Sequence, residues 1–208
     1  KAGELLHPKR EPMEVLEELK AAMGSQSFSA QYQQAPIPEG GALIKGDWFR
    51  SYLWAPERAP GERVVQSWDT ATKTGTTNDY SVCTTWLMRG KDYYLLDVFR
   101  ERLEYPDLRR KILWHAARHS AMPVLIEDAG TGTPLIQEVR REGKLRPIPF
   151  RPERDKIVRL DAQSAVIEAG RVLLPETAPW LGDFRAEILA FPGGRYDGQV
   201  DSVSQFLA

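Results

Sequence analysis

"VVQSWDTA" (residues 64–71) is a short, largely apolar run that ends on a carboxylate, Asp69, followed at once by small and hydroxylated residues. Runs of this composition bounded by turn formers read as strands. A strand built for a core needs a reason to finish on an acid. One reason is local, because an Asp at a strand end satisfies free backbone N–H groups as a turn former or helix cap. The other is chemical, because the crevice at the strand ends of an open α/β sheet is where such folds place ligands.

Working outward from this run, strands and helices alternate. "RVVQSWD" and "DYSVCTTWLMRG" are rich in Val, Thr and aromatics, and "KDYYLLDVFRER" follows after only a Gly-Lys-Asp connection. The second and third runs therefore form a β-hairpin. "YPDLRRKILWHAARHS" sets Leu108, Ile112, Ala116 and His119 along one helical face, and "MPVLIED" is another buried strand ending in acid. "TGTPLIQEVRREGK" reads as a helix closed by Gly143, "LRPIPF" as a short strand, "ERDKIVRLDAQSAVIEAG" as a long helix and "RVLLP" as a strand. "PWLGDFRAEILAF" and "GQVDSVSQFLA" are closing helices. This succession predicts an α/β fold, a mixed β-sheet flanked by helices.

The N-terminal sixty residues differ. "EPMEVLEELKAAMG" places Met13, Leu16, Leu19 and Met23 at helical spacing and stops on Gly24, which predicts a short surface helix. "FSAQYQQAPIPEGGALIKGDWFRSYLWAPERAPGE" carries several Pro and Gly with little periodicity and reads as an extended connection. The expected organisation is a loop-rich arm over residues 1–60 and one globular domain over 61–208, beginning near Arg63.

Composition limits what this domain can do. Of 208 residues, 28 are Lys or Arg and 29 are Asp or Glu, a net charge of -1, so any polyanion site must be a local patch. The single Cys83 excludes an intramolecular disulfide framework. No run approaches the ~18 apolar residues of a membrane span, and no signal-peptide layout is present. The expectation is a soluble protein of a reducing compartment.

The acids carry the chemistry. Asp69 ends the first predicted strand, Glu127 and Asp128 end the fourth, and Asp197 and Asp201 stand before and within the last helix. Adjacent strands would bring Asp69 and Glu127 together, and like charges so placed need a counter-cation. Carboxylates without a His or Cys set suit Mg²⁺ or Mn²⁺, and paired ions are a standard device for phosphodiester hydrolysis. Asp128, Asp79 and Asp92 read as turn residues. Lys156 and Arg159, one turn apart, could steady a nucleic-acid strand, with Arg151 and Arg154 just upstream, or could form a solvated helix face. The glycines of "GTGT" (130–133) could open a helix onto a phosphate or merely shape a turn. His115 and His119 stand at i, i+4 spacing without a third partner and read as helix residues rather than zinc ligands. Paired carboxylates also serve glycosidases, which need no metal, and the six Trp suit sugar stacking. A non-catalytic DNA-binding module with structural acids is the other alternative.

"QYQQAPIPEGGALIK", "SWDTATKTGTTNDYSV", "VLIEDAGTGTPLIQEV", "RDKIVRLDAQSAVIEAGRVLLP" and "YDGQVDSVSQ" occur in the order found in the large terminase subunits of tailed bacteriophages. From about Phe28 to Ala208 the chain resembles the nuclease half of that protein. The resemblance implies an RNase H-like fold, two divalent ions (Mg²⁺ or Mn²⁺), and endonucleolytic cutting of concatemeric viral DNA at the start and end of packaging. Asp69 matches the family's first catalytic acid and Glu127 its second. Many relatives carry two adjacent acids where this chain has Asp197-Gly198, so Asp197 and Asp201 are left to share the third role, with Asp197 ranked first as inner-sphere ligand and Asp201 as a second ligand or outer partner. No G-x-x-x-x-G-K-[ST] phosphate loop is present, and "KTGTTND" lacks its Gly-Lys-Ser/Thr. Residues 1–60 would then be the tail and linker of an absent ATPase domain. The implied partners are double-stranded DNA and, in the full-length protein, the ATPase motor domain, the small terminase subunit and the portal, in the host cytoplasm and without a membrane. A resolvase- or transposase-like RNase H relative is the alternative among nucleases.

Overall fold

The strand that carries Asp69 lies inside a seven-stranded sheet. In a computed structural model, which describes residues 12–32, 42–71 and 79–208, β2 (Arg63–Asp69) runs between antiparallel β3 (Ser81–Arg89) and parallel β5 (Val124–Glu127). With β1 (Arg50–Tyr52), β4 (Asp92–Glu101), β6 (Ile148–Phe150) and β7 (Val172–Pro175), the strand order is β1-β7-β4-β3-β2-β5-β6. β2, β3 and β4 form an antiparallel meander, and the outer strands on both sides run parallel to their inner neighbours. The β3–β4 hairpin turns at Gly90, whose φ of 59° suits a residue without a Cβ. This is the mixed sheet expected of an RNase H-like fold.

Helices cover both faces. α3 (Tyr105–Arg118) and α4 (Gly132–Arg141) bury Leu108, Ile112, Leu135 and Val139 against Trp68, Phe99 and Ile126. On the other face α5 (Lys156–Glu168), α6 (Leu181–Ala190) and α7 (Gly198–Leu207) enclose a second core around Trp86, Leu95 and Phe184, and Trp86 stacks on Phe206 at 4.6 Å. β2 is buried on both sides, which is why its polar residues are small or paired. Ser67 donates to the Ser202 carbonyl at 2.7 Å, Ser202 donates back to the Ser67 carbonyl at 2.8 Å, and Thr84 Oγ1 meets Ser202 Oγ at 2.7 Å. This polar seam fixes the register of α7 on β2 and β3.

The N-terminal region departs from an extended arm. α1 (Met13–Met23) is the expected surface helix, with no buried residue and Gly24 at φ 83° after it. Residues expected to be loop form α2 (Ser25–Tyr32), although its Ser- and Gln-rich sequence has little helical periodicity. It is held by tertiary contacts: the Ser25 N–H donates to Glu168 at 2.7 Å, Ser27 donates to Asp161 at 2.6 Å, and Phe28 is buried. Further on, Leu43, Ile44, Trp48 and Phe49 enter the α5–α6–α7 core, and β1 extends the sheet beside β7. These residues fall within the stretch read as linker, yet they are structurally part of the domain. Most of "QYQQAPIPEGG" and "KTGTTND" lies outside the described residues.

Candidate active site

Strand alternation decides which acids meet. Val64, Gln66 and Trp68 of β2 face α3, since Val64 and Trp68 join its core and Gln66 Nε2 donates to the His115 carbonyl at 3.1 Å; Ser67 and Asp69 therefore face α7. In β5, Val124 and Ile126 join the α3–α4 core, so Glu127 emerges on the α7 side. Trp68 pairs with Ile126 in the parallel ladder, which makes Asp69 and Glu127 neighbours at the ends of adjacent strands. Asp128, one residue on, points elsewhere: it accepts from Thr133 Oγ1 and from Arg151 Nε, both at 2.8 Å. Asp128 is thus the turn residue the sequence suggests, and Arg151 is engaged with it.

α7 brings the remaining acids. Asp197 occupies the N-cap position, where an Asp would ordinarily cap the helix, but its side chain makes no capping hydrogen bond. Glu187 of α6 does that work, accepting from the Gln199 N–H at 2.6 Å and from Gln199 Nε2 at 2.7 Å. The Asp197 carboxylate is free to pair with Lys156 Nζ, which also lies 3.1 Å from Asp201 Oδ2. Arg159 pairs with the other oxygen of Asp201. Asp69, Glu127, Asp197 and Asp201 all line one cleft, and Arg100, Arg154 and Arg195 stand around it.

The electrostatics follow from this crowding. Burial, then the carboxylates of Asp201 and Glu127, push the Asp69 carboxyl well above the usual range. Glu127 is raised by burial and by Asp201, while Arg159 and Lys156 pull it back. Asp201 is raised by burial against the same two cations. Burial works against the charge of Lys156, but Asp197 and Asp201 outweigh it and raise its pKa. A set of hard oxygens destabilised by one another, with an ammonium among them, has the chemistry of a divalent-cation site. Asp201 lies deeper than Asp197, with side chains 9% and 44% exposed, and it acts on both Asp69 and Glu127.

Three contributions were not read from sequence. Glu187 gives no local sign of capping a distant helix. Arg100 reaches the cleft because β4 carries an irregularity opposite Thr85 and Trp86, after which its faces exchange. There it lies 4.1 Å from the ring of Tyr80 and 4.8 Å from that of Tyr196, which pack edge to face. Gly132 is the third: a Cβ on it would lie 1.9 Å from the Glu127 carbonyl oxygen, so the glycine permits α4 to start directly against the end of β5. Close packing, rather than an exposed anion-binding turn, accounts for that glycine.

Comparison with known proteins agrees with this fold. Residues 66–207 match the family model of the terminase RNaseH-like domain. Among curated proteins no match to the sequence is found. The fold is similar to the large terminase of a thermophilic bacteriophage in complex with ADP (TM-score 0.69, 12% identity, 94% of this chain and 51% of that one). It is also similar to the large terminase nuclease of thermophilic phage G20c with bound cobalt (TM-score 0.63, 14% identity, 80% and 96%) and to the Thermus phage P74-26 large terminase nuclease domain (TM-score 0.60, 14% identity, 79% and 93%). The chain spans about half the length of the ADP-bound large terminase and nearly the whole of the isolated nuclease domains. No helix among the described residues is long and apolar enough to cross a membrane. With residues 66–207, more than half of the chain, under the family model, the chain belongs to the terminase RNaseH-like domain family.

Proposed function

We propose that this chain is the nuclease part of a terminase large subunit, a metal-dependent endonuclease that cuts concatemeric double-stranded viral DNA during genome packaging. The observation that carries the reading is the convergence of Asp69, Glu127 and Asp201, from three separate elements, on one cleft bordered by basic side chains. G20c nuclease structures hold cobalt, zinc or magnesium. The donor set here fits a divalent ion, and Mg²⁺ or Mn²⁺ is the match for carboxylate oxygens. Asp69, Glu127 and Asp201 would hold two ions, with Asp197 at the rim as a further ligand or an outer partner. Such ions supply Lewis acidity, acidifying a water for attack on phosphorus and neutralising the departing 3′ oxygen. Lys156 stands among the acids as a monovalent counter-charge that a divalent ion would displace, and it is then available to a phosphate together with Arg154 and Arg195. Arg159, held by Asp201, orients that carboxylate. In the full-length protein the partners would be the ATPase motor domain, the small terminase subunit and the portal, acting in the host cytoplasm, with the residues before Ala42 leading from the motor domain.

Incubation of the chain with supercoiled plasmid tests this. Nicking and linearisation are expected with Mn²⁺ or Mg²⁺, lost on chelation and abolished in Asp69→Asn and Glu127→Asn. A plasmid that stays intact across a full titration of both ions, with folded protein, would overturn the reading. Activity on a polysaccharide that survives chelation would favour a glycosidase instead.

A further inference from the structure

A second cluster of ligating groups lies on the opposite face of the sheet. His115 and His119, one turn apart on α3 and its C-terminal cap, share a side of the helix, and the third partner missing from the sequence is supplied by β4. Asp97 Oδ2 lies 3.3 Å from His119 Nε2 and 4.0 Å from His115 Nδ1. One ligand atom from each of the three residues lies within 4.8 Å of the others. His115 Nδ1 makes no hydrogen bond although it is buried, and His115 as a whole is 5% exposed. His119 Nε2 is already paired with the Asp97 carboxylate, but a buried His115 Nδ1 that faces the same carboxylate from 4.0 Å without bonding to it is costly unless something else partners it.

We propose that Asp97, His115 and His119 form a binding site for a transition-metal dication of the zinc class, separate from the carboxylate cleft. For metal–ligand distances near 2.1 Å in a tetrahedral site, ligand atoms stand about 3.4 Å apart, so the observed spacings need only a small closure. Two imidazoles and one carboxylate select Zn²⁺, Co²⁺ or Ni²⁺ over the Mg²⁺ or Mn²⁺ suited to the acids of the other face. His115 is in a ligand-competent state, since burial holds its pKa down at about 4 against the opposing pull of the Asp97 carboxylate, leaving the ring neutral. Trp68 and Phe99 pack against His115 at centroid distances of 5.8 and 4.9 Å and form an apolar wall. On the other side solvent reaches the cluster, for the Asp97 side chain is 30% exposed, and a water can complete the coordination.

The β4 irregularity is what makes this site. Leu95 faces the α5–α6–α7 core, and simple alternation would send Asp97 the same way. After the irregularity Leu96 and Asp97 both lie on the α3 side, Val98 returns to the far core, and Phe99 packs with α3. The same shift delivers Arg100 to the cleft beside Glu187, 3.5 Å away. A metal at Asp97 would pin α3 to β4 at this point.

The test uses the full chain carrying Asp69→Asn and Asp201→Asn, which cripples the carboxylate cleft, and titrates Zn²⁺ by calorimetry and thermal unfolding. One zinc per chain with a raised Tm is expected, with affinity at least about tenfold weaker when His119→Ala or Asp97→Ala is added. Bound Co²⁺ should give a visible spectrum typical of nitrogen ligation that the same substitutions remove. In the otherwise unaltered chain His119→Ala should leave Mn²⁺-dependent plasmid cutting unchanged, which separates this site from the nuclease reading. No zinc uptake by the cleft variant, or uptake and a Tm shift indifferent to both His119→Ala and Asp97→Ala, would overturn the proposal. His119 and Asp97 are chosen because both are partly exposed, and loss of folding at either is read directly from the metal-free Tm.

Discussion

Asp201 and Asp197 are both aspartates of one helix terminus, yet their surroundings predict different costs of removal. Asp201 is nearly enclosed and touches both Lys156 and Arg159, while Asp197 touches Lys156 from the rim. Asp201→Asn should therefore abolish plasmid cutting as fully as Asp69→Asn, and Asp197→Asn should cost on the order of 10–100-fold, the range of an outer partner. Cleavage rates at saturating Mn²⁺ decide it, and a dead Asp197→Asn beside an active Asp201→Asn would restore the ranking drawn from sequence. The same crowding sets a pH dependence. Asp69, Glu127 and Asp201 have pKa values raised in the folded chain, so the folded state holds these protons more tightly than the unfolded one. Their contribution favours folding at low pH and is lost as pH rises from the ordinary carboxylate range, ~4, through the raised values. Metal-free protein should lose Tm over that interval, and Asp69→Asn should lose less and be the more stable at neutral pH. Added Mg²⁺ should restore the wild type but not the variant. A wild-type Tm that rises over the same interval, or that ignores Mg²⁺ at neutral pH, would contradict it.

At the scale of elements, a glycine shows how tightly the site is tied to the fold. Alanine at position 132 would gain helix propensity, worth about 1 kcal/mol, but its Cβ would collide with the backbone oxygen of Glu127. Gly132→Ala should therefore destabilise by ~1–3 kcal/mol in urea unfolding and depress cutting further by displacing Glu127. Gly182→Ala, near the start of α6 with open space around it, should be neutral or stabilising by up to ~1 kcal/mol. Elements with strong periodicity were legible in the sequence: β2 to β7 and α3 to α7 lie where runs of Val, Thr and aromatics or i, i+4 apolar spacing predict them. α2 and β1 were not, because Ser-Gln-Ser-Phe and a three-residue edge strand carry almost no local signal and owe their form to α5 and β7. Asp69 and Glu127 stood out for the same reason as the strands, since they end them, whereas Asp197 and Asp201 belong to the start of α7. The positions of Lys156, Glu187 and Arg100 depend on contacts between residues 12 to 87 apart, such as Arg100 with Glu187, and on an irregularity in β4 that no residue type announces.

For the whole molecule, the boundary of the folding unit is the consequence most easily checked. α1 buries nothing, and within α2 Phe28 is the buried apolar side chain among the described residues, so a chain beginning at Ala42 loses little core. Beginning at Gly61 is different in kind. It removes Leu43, Ile44, Trp48 and Phe49, each below a tenth exposed, and strips β1 from the edge of β7. Burial of a large apolar side chain is worth ~1.5–3 kcal/mol, so four of them approach the ~5–15 kcal/mol that separates most folded domains from their unfolded chains. The bared edge also offers an unpaired row of backbone donors and acceptors beside an apolar surface, which invites association. The chain from Ala42 should keep a cooperative thermal transition and cut plasmid with Mn²⁺ at a rate within about threefold of the longer chain, whereas the chain from Gly61 should aggregate or unfold without a cooperative transition. Circular dichroism melts and light scattering of the two truncations distinguish them. A soluble, cooperatively folded and active chain from Gly61 would mean that β1 and the residues before it cover the nuclease fold without stabilising it, and that the domain begins at the strand carrying Asp69.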